Sequence, residues 1–194
     1  MAIDTGLQVA CGDLQAVGGI RQILLTDLDN VATLTAGAGD THSYSSIITT
    51  LPWARFEFKN ETASLTITGA KENGSTSYEC AVSFYLPNIQ GTAFGELTKI
   101  EPSCAVALVE LNDGTKMLVG ISEKYKNQGV DAAPWDRNQT YANLTSIEGG
   151  SGAAYADENG VTVTLTARQF ELPREYATPG AITVLTGDVT ATTS

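Results

Sequence analysis

One stretch of the chain, residues 103–171, restricts the fold more than any other. Two apolar-rich runs, 105–111 and 115–121, flank Asn112-Asp113-Gly114. Asp-Gly between such runs predicts a β-hairpin, because glycine supplies the positive φ that a tight turn needs. Residues 161–167 then alternate valine, leucine and alanine with threonine, which predicts a strand with one buried and one polar face. These elements carry no arrangement of catalytic side chains.

Similar patterns predict further strands along the chain. The turn-forming pair Asn73-Gly74 separates two alternating segments and predicts a second antiparallel hairpin. The abundance of threonine, serine and glycine favours strands and turns over helices. Beyond the runs already named, the strands are expected at residues 20–25, 31–34, 55–59, 62–69, 78–86 and 182–186. Residues 46–50 are expected to form either a short strand or the end of the loop before them.

A single short helix is expected at about 92–100. Lys99 lies near its predicted end, where a cation complements the helix dipole, and Pro102 follows. The apolar residues expected on its buried face are Phe94, Leu97 and Ile100.

The predicted fold is therefore mainly β: an antiparallel β-barrel or sandwich with one flanking helix. No linker divides the chain, so residues 1–194 are expected to form one domain. The terminal segments 1–12 and 175–194 are expected to be extended and to make contacts between subunits.

Residues 122–160 lack sustained periodicity and are expected to form a long irregular loop. Loops of this length in compact domains usually serve a function or are disordered. Aromatic side chains argue against disorder and suggest that the loop packs on something, either another subunit or the core of the domain itself. The residues concerned are Tyr125, Trp135, Tyr141 and Tyr155.

The net charge of −11, from 22 acidic and 11 basic residues, limits the possible partners. Tight binding of nucleic acid needs lysine and arginine to neutralise phosphates, so specific DNA or RNA binding is not expected. An acidic surface either keeps a protein soluble or lets DNA pass without sticking.

The sequence offers no clear catalytic, cofactor or metal site, and an enzyme is not expected. His42, the one histidine, lies in a Gly/Ser/Thr loop without a nucleophile motif. Cys11, Cys80 and Cys104 are widely spaced, and buried free thiols are expected. The acidic segments 27–30 and 157–160 do not fit a calcium loop and are expected to be turns. There is no signal-peptide pattern and no apolar run long enough to span a membrane.

The order of these features resembles that of bacteriophage tail tube proteins (major tail proteins) and the related type VI secretion tube proteins. The similarity begins at Cys11 and Gly18-Gly19-Ile20 and runs through the hairpin around Asn73-Gly74 and the short helix. It continues through three further segments up to about Glu171: 106–120, the glycine-rich 149–152, and 157–166. Residues 124–143 depart from the family pattern.

This resemblance implies a structural virion protein without catalytic residues or cofactors. Six subunits would form a ring, and rings would stack into a hollow tail tube through which DNA leaves the particle. Implied partners are other tail proteins, such as the sheath, terminator or baseplate, with assembly in the host cytoplasm. Two alternatives stay open: another β-rich virion protein (neck, tail terminator or head decoration), and a carbohydrate-binding or hydrolytic β-sandwich.

Overall fold

The computed structural model describes residues 18–38, 42–89, 91–122, 141–154, 158–177 and 184–185. Within them the protein is mainly β, as predicted, with one helix, α1 (Gly91–Ile100), and a 3-10 turn at Leu28–Asn30. The strands are β1 (Ile20–Asp27), β2 (Val31–Ala36), β3 (Ser43–Thr49), β4 (Trp53–Phe56), β5 (Ser64–Glu72), β6 (Ser75–Pro87), β7 (Ala105–Leu111), β8 (Lys116–Val119), β9 (Ala142–Gly150), β10 (Gly160–Gln169), β11 (Arg174–Tyr176) and β12 (Val184–Leu185).

The described strands form one branched sheet with two distinct parts. The larger part has the order β12-β4-β1-β7-β8-β11-β3-β2, and the smaller part, here called the four-stranded sheet, has the order β9-β10-β6-β5. The two parts meet where Ala105 of β7 pairs with Ala142 of β9. The main path of paired strands ends at β2 and β5, so the described strands do not close into a barrel. Pairing is antiparallel except between β3 and β11 and between β4 and β12.

Strand β7 is the centre of the domain, because it is buried on both faces. Its alanines and Val109 contact the core under the four-stranded sheet, together with Leu97 and Ile100 of α1. Val106 and Leu108 point the other way, into a second core. A strand buried on both sides needs a continuous apolar run rather than strict alternation, which is what Ala-Val-Ala-Leu-Val provides.

The second core lies between the centre of the larger part and its β2–β3 end. Its largest side chains are Trp53 and Tyr44, and both are fully buried. Tyr176 of β11 belongs to the same cluster. Within the segment 175–194, predicted to be an extended terminus, residues 175–176 and 184–185 lie in strands of the chain's own sheet.

Two sequence-based expectations need correction. The predicted loop 122–160 contains the nine-residue strand β9. Its apolar-side residues, Ala142, Leu144 and Ile147, do not alternate because the register with β10 shifts between Leu144 and Ser146. This bulge hides the two-residue period of a strand. Phe94, predicted on the buried face of α1, is 38% exposed, while Leu97 and Ile100 are buried as expected.

Candidate functional site

The four-stranded sheet has one apolar and one polar face. Cross-strand partners lie on the same face, so the pairing of the strands shows on which of the two faces each side chain lies. Residues such as Val82, Phe84, Val163 and Leu165 are fully buried against β1, β7 and α1. The opposite face, here called the polar face, comprises Ser64, Thr66, Thr68, Ala70, Glu72, Ser75, Ser77, Glu79, Ala81, Ser83, Tyr85, Asn143, Ser146, Glu148, Thr162, Thr164, Thr166 and Arg168.

Hydroxyl groups dominate the polar face and bond to one another across the strands. The hydroxyl groups of Thr145, at the bulge, and Thr166 lie 2.9 Å apart, and Thr164 Oγ1 donates to Ser83 Oγ at 3.3 Å. The charged residues on the strands of this face are Glu72, Glu79, Glu148 and Arg168, and the Arg168 guanidinium lies 3.5 Å from Glu79. The face is thus hydrated and slightly acidic. Its described residues include no basic cluster and no group of side chains that would hold a phosphate in place.

Both edges of the four-stranded sheet are open among the described strands. No described strand pairs with β5 on the side away from β6, and β9 pairs with β7 only at Ala142. Long open edges present unpaired N–H and C=O groups, which natural proteins normally cover or pair. On the apolar side, the edge residues Ile67 and Ile147 are 42% and 46% exposed, because the layer formed by β1, β7 and α1 does not reach them.

A compact cluster closes one end of this sheet, where β9 ends and β10 begins. A Cβ added to Gly149 would collide with the backbone of Gly160 and Val161, so a glycine is needed for the two strands to approach so closely. The Lys59 ammonium forms an ion pair with Glu158, which raises the pKa of Lys59. The same ammonium lies 5.7 Å from the centre of the Tyr85 ring.

A buried polar network holds the end of β10 against β11. The Glu171 carboxylate accepts a hydrogen bond from Ser122 Oγ at 2.6 Å and lies 3.0 Å from Arg174 Nη2. Gln169 Nε2 donates to the carbonyl of Ile121 at 3.2 Å. These contacts fix the ends of segments that are adjacent in space but far apart in sequence. Sequence reasoning missed the network because its members show no common spacing.

The predicted aromatic contact residues fall into two groups. Tyr141 directly precedes β9, is half-buried, and packs against the second core of its own chain. For this residue, the structure favours the interpretation that the side chain covers the core of the domain. Tyr125, Trp135 and Tyr155 lie outside the described residues.

The described residues show no catalytic or metal-binding arrangement around the candidates considered from sequence. His42 is exposed, and its Nε2 lies 2.7 Å from the carbonyl oxygen of Leu172. Cys80 is a buried free thiol, as expected, and burial raises its pKa to about 11. Asp27 accepts a hydrogen bond from the N–H of Asp29 at 2.9 Å, which confirms a turn there. No group of three or more His, Cys, Asp or Glu side chains in the described parts of the chain is placed to hold a metal ion.

Comparison with protein-family models, with curated proteins and with solved structures finds no match. Across the described ranges, no helix has the length and apolar character needed to cross a membrane.

Proposed function

We propose that this protein is the subunit of a bacteriophage-type tail tube, in which rings of six copies stack around a central bore. One observation carries the proposal: among the described strands, the four-stranded sheet has a covered apolar face, a hydroxyl-rich polar face and two open edges. The backbone N–H and C=O groups at the edges of such a sheet form hydrogen bonds when copies join edge to edge, because closure into a barrel removes every edge.

The strand directions favour this closure. The four strands are antiparallel throughout, so β9 and β5 run in opposite directions at the two edges. When copies are related by rotation about an axis, β9 of one copy meets β5 of the next in an antiparallel arrangement. The sheet then continues without a change of hydrogen-bonding pattern, and the polar faces of all copies lie on the same side.

The dimensions of such a ring suit a DNA conduit. Six copies contribute 24 strands, which at about 4.8 Å per strand and a tilt of about 35–45° give a backbone radius of about 22–26 Å. Side chains occupy about 5 Å of this radius, half the usual spacing of packed sheets. The resulting bore is about 35–40 Å wide, which admits double-stranded DNA.

The polar face is assigned to the bore, because the apolar face is already covered by β1, β7 and α1. A surface of threonine and serine hydroxyls is well hydrated. Its single arginine, Arg168, faces Glu79. Counterion release from phosphates by lysine and arginine supplies most of the affinity for DNA. DNA is therefore expected to pass this surface without being held. Sheath, terminator or baseplate proteins are proposed partners on the outside, and the virion tail is the proposed location.

The experiment is direct imaging of the purified protein over a range of concentrations. Negative-stain electron microscopy at high protein concentration should show rings or stacked tubes with a central hole. Light scattering should detect assemblies of six or more copies. A protein that stays monomeric at every concentration tested, with no rings on the grid, would contradict the proposal. A single ring that never stacks would instead favour a neck or terminator protein.

A further inference from the structure

The geometry of the four-stranded sheet also points to the register in which neighbouring copies pair. We propose that β5 of one copy pairs with β9 of the next copy with Ile67 opposite Ile147. This inference rests on the proposed tube and names the residues at each junction. Three features lead to it: the free backbone groups at the edges, the stagger that a barrel needs, and the two exposed isoleucines.

The backbone groups that no described strand pairs at the two edges belong to residues of the apolar face. Asn73 (φ 49°) and Gly74 (φ 83°) form a two-residue turn, which makes the flanking residues 72 and 75 a hydrogen-bonded pair. Bonded and non-bonded pairs then alternate, so Ile67 directs its N–H and C=O away from β6. The same alternation continues across β6 and β10 to β9. There, Ile147 and Gly149 direct their backbone N–H and C=O groups away from β10.

The chirality of the backbone determines which edge lies on which side. In a strand drawn upward with an L side chain toward the viewer, that residue's N–H and C=O point to the right. Seen from the apolar face with β6 running upward, the backbone groups of Val82 therefore point right, toward β10. The order from left to right is β5, β6, β10, β9. Seen from outside the tube, β9 of each copy meets β5 of the copy to its right.

A closed barrel needs its strands to tilt by about 35–45°, and the tilt shifts the register from each copy to the next. Because strand twist is right-handed, the strands seen from outside rise toward the right. A residue of β9 therefore lies beside a residue of the neighbouring β5 that occupies a lower position along the strand direction within its own copy. With a rise of about 3.3 Å per residue and a strand spacing of about 4.8 Å, a shift of four residues per copy gives a tilt of about 35°. Shifts of two or six residues give about 19° or 46°.

Within one copy, Ile67 lies four residues below Ile147. Ile67 is level with Cys80, whereas Ile147 is level with Val163, the partner of Phe84. The level difference measured along β6 is therefore the distance from residue 80 to residue 84. A shift of four residues between copies places Ile67 of one copy beside Ile147 of the other.

This register also uses nearly the whole of both strands. Residues 64–70 then face residues 143–150, apart from the bulge at Thr145. A shift of six residues pairs the same number, and a shift of two pairs fewer. Ile67 and Ile147 become direct cross-strand partners on the apolar face, where each covers the exposed surface of the other.

Disulfide cross-linking between two single variants tests the register. Protein carrying Ile67→Cys is mixed with protein carrying Ile147→Cys, assembled and oxidised. Bonded antiparallel partners have Cα atoms about 5.5 Å apart, within the range of a disulfide. We expect covalent dimers from this mixture at several times the yield of either variant alone. A chain carrying both substitutions should give a ladder of covalent multimers up to six.

Three controls accompany this test. Ile48→Cys mixed with Ile147→Cys should not cross-link, although Ile48 is 57% exposed, because it lies on β3 in the other part of the sheet. Leu65→Cys and Gly69→Cys, each mixed with Ile147→Cys, report the registers shifted by two and by six residues. The unsubstituted protein gives the background from its own cysteines. Circular dichroism checks that each variant is folded.

The outcomes separate this inference from the proposed function. Preferred cross-linking through Leu65→Cys or Gly69→Cys in imaged tubes would contradict the pairing of Ile67 with Ile147 but would remain consistent with the proposed tail tube. Tubes that cross-link at none of the three β5 positions would overturn the junction between β5 and β9. A protein that forms neither rings nor tubes would remove the basis of both proposals.

Discussion

Replacing Phe84 with alanine should cost a large part of the stability of the domain. Phe84 is fully buried beneath the four-stranded sheet, with the rings of Phe56 and Phe58 at 6.2 and 6.3 Å between centroids. Phe→Ala substitutions in cores cost about 3–5 kcal/mol, from lost transfer free energy and the cavity left behind. Domains typically have an unfolding free energy of about 5–15 kcal/mol, so the loss should be obvious.

The chain offers a matched control in Phe94, which is 38% exposed on α1. Phe94→Ala should cost no more than about 1 kcal/mol, because much of the ring is already in water. Urea denaturation followed by tryptophan fluorescence measures both variants, since Trp53 is fully buried. The protein is kept dilute so that assembly does not add to its stability. Equal losses for the two variants, or a loss below about 1.5 kcal/mol for Phe84→Ala, would refute the placement of the core.

Three further predictions concern strand contact, the buried thiol and the buried ion pair. Gly149→Ala should destabilise the protein by about 1–3 kcal/mol, because the added Cβ would collide with the backbone of β10. Gly150→Ala should have little effect in the same urea titration, because a Cβ added there meets no atom within 4 Å. The pKa of Cys80 is raised from its ordinary value of 9.0 to about 11, so the contribution of this thiol to stability is complete below pH 9 and is lost as the pH rises toward 11. Cys80→Ala should flatten that part of a curve of stability against pH. An unchanged slope would contradict the raised pKa of this thiol. Glu171→Ala leaves the half-buried Arg174 without its carboxylate and should cost about 2–4 kcal/mol, below the full cost of breaking a completely buried pair. Glu171→Gln should cost less, because it keeps an acceptor for Ser122. Equal unfolding midpoints for the two variants would contradict this role.

The sequence predicted those parts of the fold whose signals are local. The hairpin of β7 and β8 and the alternating strand β10 follow from turn chemistry and a strict two-residue period, and the structure confirms them. The Asn73-Gly74 hairpin is confirmed for the same reason. The position of α1 was also predictable, although the exposure of Phe94 was not, because the packing of a short helix depends on its neighbours in space.

Strand β9 could not be predicted from its pattern, and it carries one of the two open edges. Its bulge at Thr145 moves the apolar positions out of phase, so that the segment reads as a loop. The polar face could be foreseen on β10, whose threonines alternate with buried residues. Its extent across four strands depends on the register, which is not contained in any one segment. The buried network around Glu171 joins residues 49 positions apart and has no local signature.

The most direct test of the account is a reconstruction of the assembled protein by cryo-electron microscopy. We predict a continuous antiparallel barrel around the bore, made of β9, β10, β6 and β5 from each copy, with Thr162, Thr164 and Thr166 facing inward. A ring in which these four strands lie on the outside, or in which neighbouring copies meet without contact between β5 and β9, would contradict it.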